Sequence, residues 1–447
     1  MRRRKQLGIL FVGLVASALI FSGGQAVKRV DALPKETYEN IELLTNILNI
    51  VQKNYVDEVS FDQMFEGAIT GMLASLDPHS AYLTPDLYKE LQVDTKGSFG
   101  GLGIEIAVRN GMLTVVSPIE DTPAYRAGIQ SGDHIVKIDG ELTKDMSLIE
   151  AVKKMRGKKG TKIELSIARE GATDLIDVTL VREVIKIRSV KSRVIEPGYA
   201  YVRITQFQEQ TTEDVKRAID TMAKEGEVRG LILDLRNNPG GLLAQAVRVS
   251  DLFLDSGLIV YTDGRLESQR QKYYAHKAET YDGFPIVVLV NGGSASASEI
   301  VAGALQDHNR AIILGTQTFW KGSVQTILPL EQDAALRLTT ARYYTPNGRP
   351  IQANGIEPDI VMENRVLVAK AEIPPEQSGA IREENLPGHL EAEEARPEQR
   401  TSVQSGAGGA DRGNDPQLDH AVELLKSWRV FEKIFVTKRE NGEVATQ

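Results

Sequence analysis

Between residues 198 and 365 the chain alternates short apolar runs with helix-forming stretches, and this alternation restricts the fold more than any other feature. Three of the runs, at residues 230–235, 285–290 and 311–315, are apolar at nearly every position. Strands of this kind are covered on both faces, and helices between them supply the cover. The segment therefore predicts an α/β core with largely buried strands.

One junction in this core is unusually rich in small residues. The segment NGGSASASEIVAGALQD, residues 291–307, follows an apolar strand and leads into a helical pattern. Backbone N–H groups at the start of a helix are unpaired, and the helix dipole favours negative charge there. Ser296 is therefore a candidate nucleophile. The alternative is structural, because serine is a favoured N-cap residue and Ser294 or Ser296 would then only close the helix start.

A serine nucleophile needs a base, and the segment FWKG at residues 319–322 offers one. Lys321 has an apolar neighbourhood, and a desolvated lysine has a lowered pKa and can accept a proton. Ser–Lys pairs are a known variant of the catalytic triad. A solvated loop lysine is the alternative. His308 is a second possible base, but twelve residues of helix would place it about 18 Å from Ser296 along the axis.

Upstream, residues 37–95 have helical apolar spacing, whereas residues 96–184 have the alternating pattern of short strands with tight turns. GLGI at 101–104 and AGIQSGDHIVKIDG at 127–140 together resemble a PDZ domain. The resemblance implies that Leu102, Gly103 and Ile104 hold the carboxylate of a peptide that adds to the sheet edge. GLGI alone would fit a simple hairpin or a strand start better, and the later segment in the right order favours the PDZ interpretation.

The two ends of the chain differ from the rest. Residues 1–26 begin with four positive charges before an apolar run, which predicts a secretory signal or an inner-membrane anchor. The 366–415 stretch is acidic and poor in large apolar residues, which predicts a disordered linker. A helix is expected over 416–436, where Leu418, Val422, Leu425 and Trp428 have helical spacing.

Bulk composition excludes several functions. The net charge is −8, and about −12 without the first 26 residues, so nucleic acid is not an expected partner. The absence of cysteine excludes thiol catalysis and thiolate-bound metals. Neither a cofactor nor a metal is expected.

The motifs in their order resemble the C-terminal processing peptidases, or tail-specific proteases. The matching stretches are LDPHSAYLTPDLYKEL, the PDZ segment, LILDLRNNPGGLL, the serine and lysine motifs, and TTARYYTPNGRPIQ. The resemblance implies a multidomain α/β chain: a helical region (37–95), a PDZ domain (96–184) and a crotonase/ClpP-like serine protease core (185–365).

The same resemblance assigns roles to individual residues. Ser296 matches the nucleophile, Lys321 the general base and Gln325 a residue that orients the base. The implied oxyanion-hole donors are Ala297 and either Gly240 or Gly241, and Arg156 matches a residue that links PDZ occupancy to catalysis.

One position departs from the family pattern, which has Gly-Lys-Gly where this chain has Trp320-Lys321-Gly322. A tryptophan would be strained there if the backbone needs a positive φ. Trp320 would then desolvate Lys321 or obstruct the substrate channel. The departure puts activity in doubt and leaves the fold unaffected.

The resulting expectation is an exported, ATP-independent serine endopeptidase of the cell envelope, periplasmic or otherwise extracytoplasmic. It would recognise C-terminal tails of proteins, pair with a second copy through the N-terminal helices, and work with an adaptor protein. Two alternatives remain: a catalytically impaired PDZ scaffold, and a crotonase-type acyl-CoA enzyme, which would not explain the PDZ segment.

Overall fold

The computed structural model describes residues 35–109, 111–144, 146–363, 382–391 and 415–440, with side chains to residue 428. These residues form two compact units, one ending at Ile69 and the other beginning at Thr70. The predicted signal or anchor, residues 1–26, lies outside the described residues. Within the described ranges, no helix is long and apolar enough to cross a membrane.

The first unit consists of helix α1 (Lys35–Asn54) and most of helix α2 (Phe61–Ala74). Glu36 in the first turn of α1 and Lys53 in its last turn complement the helix dipole. Much of the apolar surface of α1 is exposed, at Ile41, Leu43, Leu44, Ile47, Ile50 and Val51. The helix therefore lacks a cover for this surface within the described chain.

A short strand and a helix connect α2 to the next domain. Strand β1 (Ala81–Leu83) is followed by helix α3 (Pro85–Lys96). The hydroxyl of Thr84 accepts a hydrogen bond from the N–H of Leu87 at 3.4 Å, and Gly97 ends the helix at a φ of +65°. A left-handed residue at this position favours glycine.

The PDZ domain is a small antiparallel sheet with two helices. Its elements are β2 (Ser98–Gly101), β3 (Ile104–Arg109), β4 (Met112–Pro118), α4 (Pro123–Arg126), β5 (His134–Ile138), β6 (Glu141–Leu142), α5 (Leu148–Met155), β7 (Lys162–Ala168), β8 (Ile176–Val181) and β9 (Glu183–Lys186). The sheet order is β3-β4-β5-β7-β8, with β6 on β5, while β2 and β9 pair separately. The β2–β9 ribbon joins the two ends of the domain, as expected for an insertion.

The expected α/β core follows as strands and helices in alternation. Its elements are β10 (Val190–Glu196), β11 (Tyr199–Ile204), α6 (Thr211–Glu225), β12 (Gly230–Asp234), α7 (Leu243–Asp251), β13 (Leu258–Gly264), β14 (Gln271–Tyr274), β15 (Ile286–Val290), α8 (Ala297–Asp307), β16 (Ala311–Gly315), β17 (Ser323–Pro329), β18 (Ala335–Tyr344) and β19 (Ile360–Val361). The main sheet has the order β10-β11-β12-β15-β16-β19, parallel from β11 onward. The carboxyl ends of β12, β15 and β16 therefore share one edge, where ligands commonly bind in such sheets.

A second sheet, β1-β18-β13-β14 with β17 on β18, recruits a strand from the segment predicted to be helical. Ala81 of β1 pairs with Arg337 of β18. The preceding turn is fixed by Asp77, whose carboxylate accepts hydrogen bonds from the hydroxyls of Ser80 (2.6 Å) and Thr339 (3.0 Å). The segment around residues 77–83 therefore belongs to the wall of the core.

The last helix, α9 (Pro416–Glu440), covers the main sheet. Leu418, Val422 and Leu425 are buried, together with Ala421, against the apolar side chains of β12 and β15, whereas Trp428 is half exposed. The apolar spacing read from the sequence thus corresponds to a packed face.

The prediction of disorder over 366–415 does not hold for residues 382–391. They form a short 3₁₀ turn, Glu383–Asn385, and the Glu383 side chain is fully buried. The composition of the segment gave no sign of this, because its order depends on contacts with distant charged and aromatic side chains. Residues 366–381 and 392–414 lie outside the described residues.

Arg236 fastens α9 to the sheet, and its replacement by alanine should release the helix. The guanidinium donates to Asp234 (2.7 Å), Asp415 (2.7 Å) and Gln417 (2.9 Å), and it is buried. Arg236→Ala leaves the Asp234 carboxylate buried without its partner, a change that costs about 3–5 kcal/mol. Urea unfolding should report this loss, and hydrogen exchange should show faster exchange in residues 416–428.

The matched control is Arg248→Ala, which removes the exposed pair with Glu213. Exposed pairs contribute at most about 1 kcal/mol. Unchanged protection of residues 416–428 in Arg236→Ala would show that apolar packing alone holds α9.

Candidate active site

Ser296 lies at the carboxyl edge of the main sheet, in the turn between β15 and α8. All five residues of β15 are buried. Ser296 has a φ of +54° and a ψ of −111°, a conformation rare for a residue with a side chain. Strain of this kind costs about 1–3 kcal/mol and is typical of nucleophile elbows. The turn therefore holds the serine in a conformation that a simple helix cap does not need.

The three serines of the motif have different environments. Ser294 Oγ donates to the carbonyl of Leu235 at 2.8 Å, and Ser298 Oγ donates to the carbonyl of Asn238 at 2.9 Å. Ser296 stands at the N-cap position, but its side chain makes no capping hydrogen bond. The two outer hydroxyls thus fix the turn to the loop after β12, whereas the Ser296 hydroxyl takes no part in this attachment.

The loop after β12 lies against this serine. A side chain at Gly240 would come within 2.9 Å of Ser296 Cβ and 3.0 Å of the Ala297 nitrogen. The N–H of Gly240 donates to Asn238 Oδ1 at 2.9 Å. Gly241, at a φ of +139°, fits against the backbone of Phe207. The absence of side chains at both glycines therefore lets the loop approach the nucleophile turn.

Lys321 emerges from the loop after β16, at the same edge of the sheet. Its side chain is largely buried, and burial lowers the pKa of its amine. The negative charge of Glu383 acts to raise this pKa, and the positive charge of Arg337 acts to lower it further. Glu299 and Asp77 also act to raise the pKa, with smaller effects. Desolvation prevails, so the amine is closer to neutrality than that of an ordinary lysine.

Glu299 connects the serine turn to the lysine loop. Its carboxylate is fully buried, and one oxygen, Oε2, accepts the N–H groups of Ser296 (2.7 Å) and Lys321 (3.0 Å). The other oxygen, Oε1, accepts the N–H of Trp320 (2.8 Å) and the hydroxyl of Thr318 (2.6 Å). Burial raises the pKa of Glu299 to about 8, although the four hydrogen bonds act to lower it. Because the Ser296 and Lys321 N–H groups share one acceptor atom, the two backbones are held side by side.

Trp320 does occupy the left-handed region, with a φ of +79°. The expectation that a tryptophan would be strained here is therefore met. Its ring lies against Gly355, where an added side-chain carbon would be 2.1 Å from Cδ1. The indole Nε1 is buried without a hydrogen-bond partner among the described residues. Trp320 thus packs its ring against Gly355 at a cost in backbone strain.

Gln325, expected to orient the lysine, and His308, the alternative base, both have hydrogen-bond partners other than Ser296 and Lys321. The side-chain amide of Gln325 donates to Ser323 Oγ at 2.9 Å. His308 ends α8 at the opposite end from Ser296 and hydrogen-bonds the carbonyl of Leu258 at 2.7 Å. The length of the helix separates His308 from the serine, so a Ser–His pair cannot form.

Comparison with known proteins identifies the family of the chain. A family model described as Peptidase family S41 matches residues 198–362, a PDZ domain model matches 100–180, and a CtpB N-terminal domain model ("Activating protease CtpB N-terminal domain") matches 20–86. The carboxy-terminal-processing protease of Bartonella bacilliformis is 44% identical over 94% of this chain and 95% of its own length. The chain belongs to the carboxy-terminal processing proteases of peptidase family S41.

Other similar proteins carry related names. CtpA of Bacillus subtilis, a carboxy-terminal processing protease, is 35% identical over 80% of this chain and 78% of its own length. A solved photosystem II D1 C-terminal processing protease is 32% identical, covers 72% of this chain and 92% of its own, and has a TM-score of 0.42. The predicted family, the fold class and the serine-type peptidase activity are confirmed.

In this carboxy-terminal processing protease, the positions predicted to bind a peptide tail, Leu102 to Ile104, lie at the start of β3. Strand β3 is at the end of its sheet, so its outer edge is open among the described strands. Gly103 has a φ of +76° and packs on Thr122, and Leu102 is buried. The geometry fits addition of a peptide strand beside Ile104.

Arg156 contacts strand β2, which leads to this edge. Its guanidinium lies over the ring of Phe99 at 4.8 Å, directly after α5. The next residue, Gly157, donates its N–H to the carbonyl of Gly100 at 2.9 Å. Arg156 and Gly157 therefore lie beside the strand that leads into Leu102, Gly103 and Ile104.

Sequence reasoning missed the charged groups that act on the lysine, among them Glu299 and Glu383, and missed His79, the partner of Glu383. A signal existed for Glu299, since Ser296-Ala-Ser-Glu299 has the spacing of a capping box, S-x-x-E. No local pattern relates His79 to Glu383, which lie 304 residues apart and meet at 2.7 Å.

Proposed function

We propose that the chain is an exported, ATP-independent serine endopeptidase that cleaves proteins with unstructured C-terminal tails by a Ser296–Lys321 dyad. The observation that carries the proposal is the shared acceptor: Glu299 Oε2 binds the N–H groups of both residues. A strained serine with an unengaged hydroxyl and a desolvated lysine are thereby held at one edge of the sheet. This arrangement supplies a nucleophile and a base together.

In the proposed reaction, Ser296 Oγ bonds to the carbonyl carbon of the substrate while its proton passes to Lys321 Nζ. The resulting oxyanion accepts hydrogen bonds from backbone N–H groups. Collapse breaks the C–N bond, and the leaving amine takes the proton from Lys321. Water then hydrolyses the acyl-enzyme with Lys321 again as base. Gln325 is proposed to orient the amine during these transfers.

For the oxyanion hole we favour the N–H groups of Ala297 and Gly241. The Gly240 N–H is engaged by Asn238, whereas no hydrogen bond from the Gly241 N–H is found within the described chain. Gly240 then provides the space that lets the loop approach Ser296. One oxyanion-hole donor contributes about 3–4 kcal/mol in comparable hydrolases.

Substrate delivery is assigned to the PDZ domain, residues 96–184, through Leu102, Gly103 and Ile104, with Arg156 linking tail binding to the core at 185–365. The open edge of β3 and the contact between Arg156 and Phe99 support this assignment.

The remaining parts of the proposal concern location and assembly. The basic, apolar segment 1–26 supports export to the cell envelope, with envelope proteins as substrates. The exposed apolar surface of α1, in the helical region 37–95, supports a homodimer. An adaptor that brings substrates to the enzyme is proposed from the family resemblance.

The test is degradation of a loosely folded protein with an apolar C-terminal tail, compared between the parent, Ser296→Ala and the exposed control Ser256→Ala. We expect cleavage by the parent and the control and none by Ser296→Ala. The same substrate with an amidated C-terminus should be cleaved more slowly, because it lacks the carboxylate. Equal cleavage by Ser296→Ala would exclude this serine as the nucleophile.

The scaffold alternative is favoured by one observation, the strained φ of Trp320. It requires an inactive parent and recovery of cleavage in Trp320→Gly. We expect the parent to be active, since Trp320 still donates its N–H to Glu299 and leaves that link intact.

A further inference from the structure

Residues 382–391, here called the brace, contact the loop before Lys321 through Arg382. The guanidinium of Arg382 stacks over the indole of Trp320 at 4.4 Å from the ring centroid. It also donates to Gln317 Oε1 at 3.4 Å. Stacking of arginine on tryptophan is favourable, the more so when both are partly desolvated. The tryptophan at a strained position thereby makes a contact that a glycine could not make.

Glu383 fixes the brace to two parts of the core. Its N–H donates to the carbonyl of Phe319 in the lysine loop at 3.2 Å. Its carboxylate is fully buried and binds His79 Nε2 at 2.7 and 2.8 Å. His79 is itself joined to β18, because its carbonyl accepts a hydrogen bond from Arg337 Nε at 2.9 Å. The brace is therefore tied both to the lysine loop and to the wall of the core.

Gln352 connects the brace to the residue that follows Lys321. It is buried, and its Oε1 accepts the N–H of Gly322 at 2.9 Å. Its Nε2 donates to Glu383 Oε1 at 3.2 Å and to the carbonyl of Leu390 at 3.1 Å. The amide nitrogen has two hydrogens, and both are used by the brace. A rotated amide would set its NH₂ group against the Gly322 N–H, so the two acceptors on the brace keep Oε1 directed at Gly322.

The loop backbone is thus held just before Lys321 by the brace and just after it by Gln352. The N–H of Lys321 itself, between these two contacts, donates to Glu299 Oε2, which also accepts the N–H of Ser296. The brace therefore fixes the same stretch of backbone that Glu299 joins to the serine turn.

We propose that Gln352, Glu383 and Arg382 are positioning residues for the reaction, and that the brace holds the loop in the conformation that brings Lys321 to Ser296. The inference deepens the proposed Ser–Lys function and rests on it. The three residues act through the loop. Their loss should lower kcat, because misplacement of a reacting group by about 1 Å can cost about 100-fold in rate.

The first test measures the loop and needs no proteolysis. Hydrogen exchange with mass spectrometry compares residues 316–323 in the full-length parent, Gln352→Ala and Arg382→Ala. We expect exchange there to be about three- to tenfold faster in both variants, the factor that corresponds to loss of one ordinary hydrogen bond. Helix α6 (Thr211–Glu225) should keep the parental rate. The matched control is Glu384→Ala, an exposed neighbour in the same 3₁₀ turn, which should behave like the parent.

Two results of this test would contradict the proposal. Arg382 is half-buried, so Arg382→Ala removes the stack without opening the core. Unchanged loop exchange in Arg382→Ala and Gln352→Ala would overturn the hold on the loop. Faster exchange of the loop together with α6 would indicate a general loss of stability and would overturn it as well.

The second test asks whether Arg382 acts through the ring of Trp320. In a Trp320→Gly background, Arg382→Ala should change loop exchange by less than twofold, because the stack is already absent. Trp320 and Trp428 are the two tryptophans of the chain, so a Trp428→Phe background reports on Trp320 alone. Arg382→Ala should change this emission and Glu384→Ala should not. Unchanged emission, or equal acceleration of exchange with and without Trp320, would overturn the role of Arg382.

The third test measures kcat and KM for the tailed substrate. Gln352→Ala and Arg382→Ala should lower kcat by at least about tenfold and change KM by less than twofold, because tail binding is assigned to the PDZ domain. If Lys321→Ala loses cleavage while these two variants keep the parental kcat, only the positioning role is overturned. An inactive parent, or cleavage by Lys321→Ala at the parental rate, overturns the Ser–Lys function and with it the positioning of its base.

Discussion

Lys321→Ala should lower kcat/KM for a tailed protein substrate by about 10²- to 10⁴-fold, the usual contribution of a general base. The variant keeps Ser296 and the backbone N–H that donates to Glu299, so it removes the proton acceptor and little else. Degradation assays at a fixed enzyme concentration measure the loss. Lys224→Ala, at an exposed position on α6, is the matched control and should retain parental activity.

The same lysine sets the expected pH dependence. A base must be neutral to act, so kcat/KM should rise with pH through the pKa of Lys321 and fall as the amine becomes protonated. Burial lowers this pKa, and the rise should therefore be centred below the pH at which an ordinary lysine titrates. A profile that follows an ordinary lysine, or full activity in Lys321→Ala with an unchanged urea midpoint, would remove Lys321 from the mechanism.

Glu299→Ala should be the most destabilising single change in the site. It leaves three N–H groups and one hydroxyl without their acceptor in a buried place. An orphaned buried polar group costs about 1–3 kcal/mol, so a loss of at least about 3 kcal/mol is expected even if the site partly relaxes. Urea unfolding followed by Trp320 emission in the Trp428→Phe background measures it.

Glu225→Ala, on the exposed end of α6, is the control and should change stability by less than about 0.5 kcal/mol. Activity of Glu299→Ala should fall with stability, since the serine turn and the lysine loop lose their common anchor. A stable and fully active Glu299→Ala would show that other contacts align the two loops.

The raised pKa of Glu299 also leads us to expect that the free energy of unfolding depends on pH. Its pKa is raised by burial to about 8 in the folded chain, so folding favours the protonated form. The corresponding stability is present at low pH and is lost as pH rises from the unfolded value toward about 8. Glu299→Gln, which is neutral at every pH, should reduce this loss when unfolding is compared at about pH 6 and pH 9.

The residue types and spacing in the sequence were sufficient to identify the family, the PDZ-containing architecture and the two candidate catalytic side chains. These features are local: a buried strand, a turn of small residues and a helix place Ser296, and a short loop after a strand carries Lys321. The strain at Trp320 could also be foreseen, because the prediction needed only the fact that glycine adopts a positive φ far more readily than tryptophan does.

Other parts of the site could not be foreseen in this way. The β1 strand joins the core sheet although its surroundings read as helical. This pairing could not be foreseen, because the partner strand β18 lies more than 250 residues away. Residues 382–391 were predicted to belong to a disordered acidic segment. Nothing in their sequence indicates that Glu383 would bind His79 or that Arg382 would stack on Trp320.

The sequence by itself therefore determined the family, the candidate catalytic groups and the strands and turns that present them. Only the tertiary structure decided the environment of Lys321: its burial, the carboxylate of Glu383 beside it and the Glu299 link to Ser296. The physical reason is that the pKa of an amine depends on water and charge around it, and in a folded chain both are set by residues remote in sequence.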